Sequence, residues 1–300
     1  MNKPRIALAI GIICISIFPV LVKLSLVSGV VSAFYRMAFS SLLIIPYVLL
    51  FKKFKFPSLK VTLLSVLCGV IFASDVTVWN ISIIDSTATQ ASLLTNLSPV
   101  WVGIGAFFFL KDKPKRNFWI GTVVAIIGMI LLVGIHVFKN LDFDRAFAFG
   151  VLSGVLYAFY MLISKNVLNQ IDIWRFMTIS ITSAAIYLGI VSFFMNEPVI
   201  GFSNTSWLIL IAMAIICQLL AWLLISYATQ NMRATRVSVS LLGQAILASI
   251  LAWLFLNEEI TLQMILGGLV LLFGIWITFY PTPIGLRVFH KRIVKVKSTK

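Results

Sequence analysis

Charge is what this 300-residue sequence has least of. Only 11% of its residues are charged, and only nine are acidic. A soluble domain averages about 25% charged residues, so this chain has too little polar surface to cover a globule in water. Histidine occurs twice, as His136 and His290, too far apart to share a ligand. The three cysteines, Cys14, Cys68 and Cys217, all fall inside apolar runs without CxxC or Cys/His spacing. Neither a disulfide framework nor a metal site is supported, and no cofactor is expected. The absence of G-x-x-x-x-G-K-S/T excludes direct coupling to ATP by that motif. H-E-x-x-H and G-x-S-x-G are absent too, and Asp75 is the one acid expected inside the membrane. An intramembrane enzyme needs a nucleophile, paired acid and base groups or a metal cluster at common depth, so it stands only as a distant alternative.

What the sequence has is apolar length. Of its residues, 61% are hydrophobic. A membrane helix needs about 20 apolar residues to cross a core of roughly 30 Å. Ten such runs lie at about 6–26, 31–51, 61–81, 87–110, 117–138, 146–168, 174–195, 205–228, 233–256 and 260–280. The stretches between them, such as KKFKFPSLK, KDKPKRN, NEPVIGFSN and NEEIT, are short and carry polar residues, Gly or Pro, as loops outside a bilayer do. The expectation is an all-α integral membrane protein with ten transmembrane helices. The first run, with Lys3 and Arg5 before it, resembles a signal peptide. It lacks a small-x-small cleavage site and Lys23 follows it directly, so it reads as a retained first helix.

The net charge of +15 raises nucleic-acid binding, but the cations lie in short patches between apolar runs, which excludes it here. With both termini cytoplasmic, 20 of the 24 Lys and Arg residues fall on the inner side. Lys139 and Arg145 fall in an outer loop, and Lys23 and Arg36 lie near the outer ends of the first two spans. The expected topology is N-in and C-in, with a basic tail at 282–300 facing anionic lipids.

Residues 87–134 laid over 233–280 without a gap give ten identities, among them Ala88/Ala234, Thr89/Thr235, Ser92/Ser238, Leu110/Leu256, Gly121/Gly267 and Gly128/Gly274. The loop charges oppose one another in the two halves: KDKPKR after span 4 is basic, and NEEIT after span 9 has no cation. Five helices per half would put the second half in the opposite sense, which requires that swap. The expected architecture is two inverted five-helix repeats, with a binding site near the midplane between them.

Here the sequence resembles the EamA-type branch of the drug/metabolite transporter superfamily. The resemblance rests on Ala88, Pro99, Phe109-Leu110-Lys111-Asp112, Gly121 and Gly128 in the first copy. In the second it rests on Ala234, Ala245, Phe255-Leu256-Asn257-Glu258, Gly267 and Gly274, with Phe34-Tyr35-Arg36-Met37 in span 2. It implies one repeat over 1–140, a second over 141–281, and the tail beyond. It also implies a secondary transporter in the cell (inner) membrane, moving small metabolites, amino acids or amphipathic drugs by alternating access, as an exporter. Import, or transport of nucleotide sugars or lipid precursors, stays open. Two positions depart from the family pattern. Asp112 stands where Glu is usual, and Ala245 replaces the second Pro, so a kink in span 9 either comes from Gly243 or is absent.

Several residues are candidates for the site. Pro99 lacks a backbone donor and follows Thr95, Asn96 and Ser98. It is either a static kink or a moving point whose freed carbonyls face a cavity. Asp75 and Trp79, four apart in span 3, share a face, as do Gln218 and Trp222 in span 8. In the ungapped register the two pairs are three positions out of step. Gln90, Gln244, Tyr157 and Tyr160 lie on spans that the resemblance places around the cavity. Lys23, Arg36 and Asp75 fall about 5, 8 and 10 Å below the outer surface. They are expected to form an ion cluster in which Asp75 couples proton movement to a gate, unless the two cations snorkel outward. Asp112 and Glu258 are expected to sit over the N-termini of the following helices, and the paired glycines to pack helices closely.

Overall fold

The computed structural model describes residues 2–52, 55–85, 88–134, 144–256 and 259–280, with the side chains of 88–90 left aside. Among these residues ten helices are long and apolar enough to cross a membrane, and there is no strand. They are α1 (Lys3–Ser25), α2 (Gly29–Phe51), α3 (Leu59–Asp85), α4 (Ala91–Phe109), α5 (Arg116–Val133), α6 (Arg145–Leu168), α7 (Ile173–Phe194), α8 (Asn204–Asn231), α9 (Ala234–Leu256) and α10 (Leu262–Phe279). Helices answer the membrane's first demand, because every backbone polar group finds its partner within the segment. Polar side chains close several exposed ends. Asp144, Asp172, Ser203 and Thr261 accept from the amides of Phe147, Arg175, Ser206 and Met264 at 2.9–3.2 Å. Each such cap contributes about 1 kcal/mol.

At most half of the central window of any helix is buried inside the protein. The rest is apolar and faces outward. Leu50, Phe108, Phe193 and Leu208 are among its most exposed side chains, a surface suited to lipid and not to water.

The helices pack in a definite set of pairs. α5 lies along α10, α2 against α7, and α4 meets α9, while α3 packs on α6 and α7, and α8 on α1 and α2. At the α5/α10 seam the expected role of the glycines is realised. A Cβ on Gly121 would stand 2.6 Å from the Gly274 carbonyl, and one on Gly128 2.8 Å from the Gly267 carbonyl. Only hydrogen fits there, so the two backbones touch.

Four helices are not continuous. α1 breaks at Ile17, ahead of Phe18 and Pro19. α4, whose helical residues extend back to Ala88, consists of Ala88–Thr95 and Ser98–Phe109, and α9 of Ala234–Leu241 and Gln244–Leu256. The two interruptions, 96–97 and 242–243, fall at matched places in the 146-residue alignment. Tight turns replace the helical ladder at both: the Leu97 amide reaches the Leu94 carbonyl at 3.1 Å, and the Gly243 amide reaches that of Ser240 at 3.0 Å. Proline enforces the first, and glycine permits the second despite Ala245. In α8 the segment Met213–Leu220 winds as a π-helix between two α-helical parts.

Candidate functional site

At the centre of the bundle α2, α3, α6, α7 and α8 enclose a void of about 10 Å³, bounded by Met37, Phe72, Tyr160, Met177, Gln218 and Trp222 among others. That is room for about one water. Its wall is aromatic. The rings of Phe72, Tyr160 and Trp222 lie 4.8–5.6 Å apart between centroids, and Tyr157 adds a fourth ring 6.2 Å from Tyr160 and 6.4 Å from Trp222. The tilted and edge-on geometries are those that aromatic quadrupoles favour.

Gln218 supplies the polar feature of this wall. It is 2% exposed, and its side-chain oxygen has no hydrogen-bond partner. A buried acceptor left unmade costs about 1–3 kcal/mol, and of the six such side-chain atoms among the described residues only the one on Gln218 belongs to a residue lining this void. Gln218 sits inside the π-helical part of α8, a distortion that recurs at functional sites.

Beside the void, three helices meet in a polar relay. The Ser153 hydroxyl on α6 donates to the Asp75 carboxylate on α3 at 2.5 Å, and the Ser153 and Thr95 hydroxyls are 2.9 Å apart. Ser153 has one hydrogen and gives it to Asp75, so Thr95 donates to Ser153. Thr95 is the last residue before the break in α4. A Cβ on Gly154 would lie 3.3 Å from the carbonyl oxygens of Leu94 and Thr95, so α6 closes directly over the break, where Pro99 leaves the Thr95 carbonyl without its i+4 amide donor.

The arrangement brings Tyr157, Tyr160, Gln218 and Trp222 together and sets Asp75 and Pro99 beside them. Trp79 is half-buried higher on α3, outside the ring cluster. Asn96 is half-buried at the break in α4, and Gln244 is half-buried at the first residue after the break in α9. Gln90 lies in the first segment of α4, and its side chain is outside the described set. Phe72 was missed: in a chain with 24 phenylalanines, nothing marks one as a cavity residue.

Two electrostatic expectations need correction. Arg36 and Asp75 do not pair. Arg36 is 7% exposed and holds its guanidinium 4.2 Å above the Phe18 ring at the break in α1, while Asp75 turns toward α6. Depth along a helix is readable from sequence, but which way a side chain points around the axis depends on packing. Lys23 is exposed near the far end of α1. Asp112 does not cap α5 but lies 3.8 Å from Arg233 at the start of α9. Glu258 lies outside the described residues.

The two ends of the bundle differ. At the end carrying Lys3 and Arg233 a cavity of about 580 Å³ opens. At the far end Val27, Val31, Leu210 and Met213 form a buried apolar plug, covered by Tyr35, Phe202 and Trp207 with rings 4.8–6.3 Å apart. The Tyr35 hydroxyl donates to the Val199 carbonyl and ties the loop between α7 and α8 onto α2.

Ten helices long and apolar enough to cross a membrane, packed around an aromatic and polar centre, suit a multi-pass membrane protein. The sequence model of the EamA-like transporter family matches residues 3–134 and 145–280, and the chain belongs to that family. A transporter of unassigned function from Archaeoglobus fulgidus is 25% identical over 202 residues, 66% of this chain and 70% of that one. An S-adenosylmethionine uptake transporter from Rickettsia prowazekii is 26% identical over 136 residues, and the match spans 44% of its length and 45% of this chain. The YdfC transporter of Bacillus subtilis, also uncharacterised, is 24% identical over 197 residues, 64% of this chain and 63% of its own. A solved crystal structure superposes with a TM-score of 0.79 over 93% of this chain and 97% of its own, at 12% identity. That likeness speaks for the fold alone.

Proposed function

We propose that the protein is a secondary transporter that carries a small metabolite, amino acid or amphipathic drug by alternating access, outward, through a cell membrane. The observation that carries this reading is the chamber around Gln218. It is aromatic with polar groups in its wall, it is closed around a small void, and along α8 it lies between an apolar cluster at one end of the bundle and a basic vestibule at the other. A closed central site between one open end and one packed end suits a carrier that opens its two ends in turn. The basic end is the cytoplasmic one by the distribution of Lys and Arg, which makes both termini internal.

The inverted-repeat reading, with halves at 1–140 and 141–281, has the pairing of the helices in its favour. Exchanging each helix for the one five places on turns α3/α6 into α8/α1 and α3/α7 into α8/α2, and returns α5/α10, α2/α7 and α4/α9 to themselves. The matched breaks in α4 and α9 support it as well. Within that frame Asp75 is the coupling group: a carboxylate held by Ser153, which Thr95 in turn holds, beside a moving break would exchange a proton as the halves rock. Relatives named as transporters support a role that is not enzymatic. The reading is tested by flux in proteoliposomes against a metabolite panel with and without a pH gradient, where some compound must move faster than through protein-free vesicles.

A second reading, uptake of an S-adenosylmethionine-like compound, draws on the Rickettsia relative and on the four rings. Aromatic faces suit both a nucleobase and a sulfonium cation. Inward-directed flux of that compound in the same vesicles decides between the two.

A further inference from the structure

The 580 Å³ vestibule is lined by five cations, Lys3, Arg5, Lys165, Arg233 and Arg236, against one carboxylate, Asp112. That acid is already shared. It lies 3.8 Å from Arg233, and Lys165 feels its charge while its ammonium donates to the Gln230 carbonyl at 2.8 Å. The remaining two arginines converge on one ring. The guanidinium carbons of Arg5 and Arg236 stand 5.3 and 5.6 Å from the centroid of Phe279. They are therefore at most about 11 Å apart, near the Debye length of roughly 10 Å at 0.1 M salt, so screening weakens their repulsion without removing it, and Arg236 feels the charge of Arg5. Arg236 also feels the charge of Arg233. Its Nε is fixed by the Thr278 carbonyl at 3.1 Å, so part of the cluster is held in place, and among the described residues its other guanidinium N–H groups make no hydrogen bond. Residues 281–300 contain no Asp or Glu.

Like charges held this close repel unless an anion sits among them, and guanidinium forks match the oxygen edges of phosphate. We infer that the vestibule is a binding site for a phosphate-type oxyanion at the basic end of the bundle. This goes beyond the transport reading, and binding is measured without transport, so either can fail alone. The anion's source is either a soluble phosphate group or a phospholipid headgroup reaching in from the bilayer.

The full chain, purified in neutral detergent, is titrated with inorganic pyrophosphate at constant ionic strength, with thermal unfolding followed by tryptophan fluorescence. In a parallel arm it is placed in nanodiscs of phosphatidylcholine with and without phosphatidylglycerol. The expected result is a saturable rise in the unfolding temperature in at least one arm. The combined variant Arg5→Gln with Arg236→Gln weakens the response at least tenfold in midpoint. Lys60→Gln with Lys115→Gln, at the same end but outside the cavity, keeps it. If Arg236→Gln fails to fold, Lys3→Gln with Arg5→Gln, on exposed side chains, carries the same expectation. A response to pyrophosphate assigns the soluble source, and one confined to phosphatidylglycerol assigns the headgroup. No response in either arm, equal responses to chloride, or an unchanged response in the vestibule variants overturns the inference.

Discussion

Gln218 separates structure from function most cleanly at the scale of single residues. Its side-chain oxygen has no partner, so Gln218→Leu removes a buried unsatisfied group and should leave the unfolding temperature unchanged or raised. If the amide receives cargo, the same change lowers flux at least tenfold, since a site built to hydrogen-bond loses strongly when the bond is removed. A fall in stability with flux intact would make Gln218 a packing residue. Asp75 is argued differently. A charge at mid-membrane depth costs about 3 kcal/mol on insertion scales, and one serine hydroxyl is a thin return for a purely structural role. Asp75→Asn should keep expression and gradient-free exchange while losing acceleration by a pH gradient, and gradient-driven flux at the native rate would remove the coupling role. The sequence singled out both residues by type and depth. It could not supply their partners, because the directions of Asp75 toward α6 and Arg36 toward Phe18 follow from how the helices rotate against their neighbours.

Seams and interruptions carry the next level, that of the helices. At Gly128 a Cβ would run into the backbone of α10 at Leu271, whereas at Gly268 its nearest neighbours would be at 3.7–3.8 Å, ordinary contact distance. Gly128→Ala should therefore destabilise by about 1–3 kcal/mol through overpacking, and Gly268→Ala should be close to neutral. Urea unfolding in mixed micelles reads the difference, and equal effects would contradict the seam. For α4, Pro99→Ala restores an amide able to rejoin the Thr95 carbonyl. If the break is a moving point, the variant inserts normally but turns over several-fold more slowly; an unchanged rate would leave only a fixed bend. These elements were unequally visible in the sequence. The glycine pairs and the Pro99 break were readable because Gly and Pro act locally, and Gly243 was named as the one residue that could interrupt α9. The π-helix in α8 was not, since MAIICQLL contains no residue that disfavours an α-helix strongly, and its winding is decided by neighbours in space.

For the molecule as a whole, ten spans were legible because length and hydropathy alone specify them, and the structure returns all ten with boundaries shifted by a few residues. The state of the two ends was not legible. An apolar plug at one end and a basic vestibule at the other depend on contacts such as Tyr35 with Val199, far apart in sequence. The account as a whole claims that these ends open in turn. Double electron–electron resonance in liposomes tests this most directly, after the buried native cysteines are replaced by alanine. One spin pair goes on Lys113→Cys and Asn231→Cys at the basic end, and the other on Ser28→Cys and Asn204→Cys at the far end, all exposed positions. As pH is lowered, each pair should show two distance populations, the far-end pair lengthening as the basic-end pair shortens. A single unchanging distance at both ends, or two ends that widen together, would contradict alternating access.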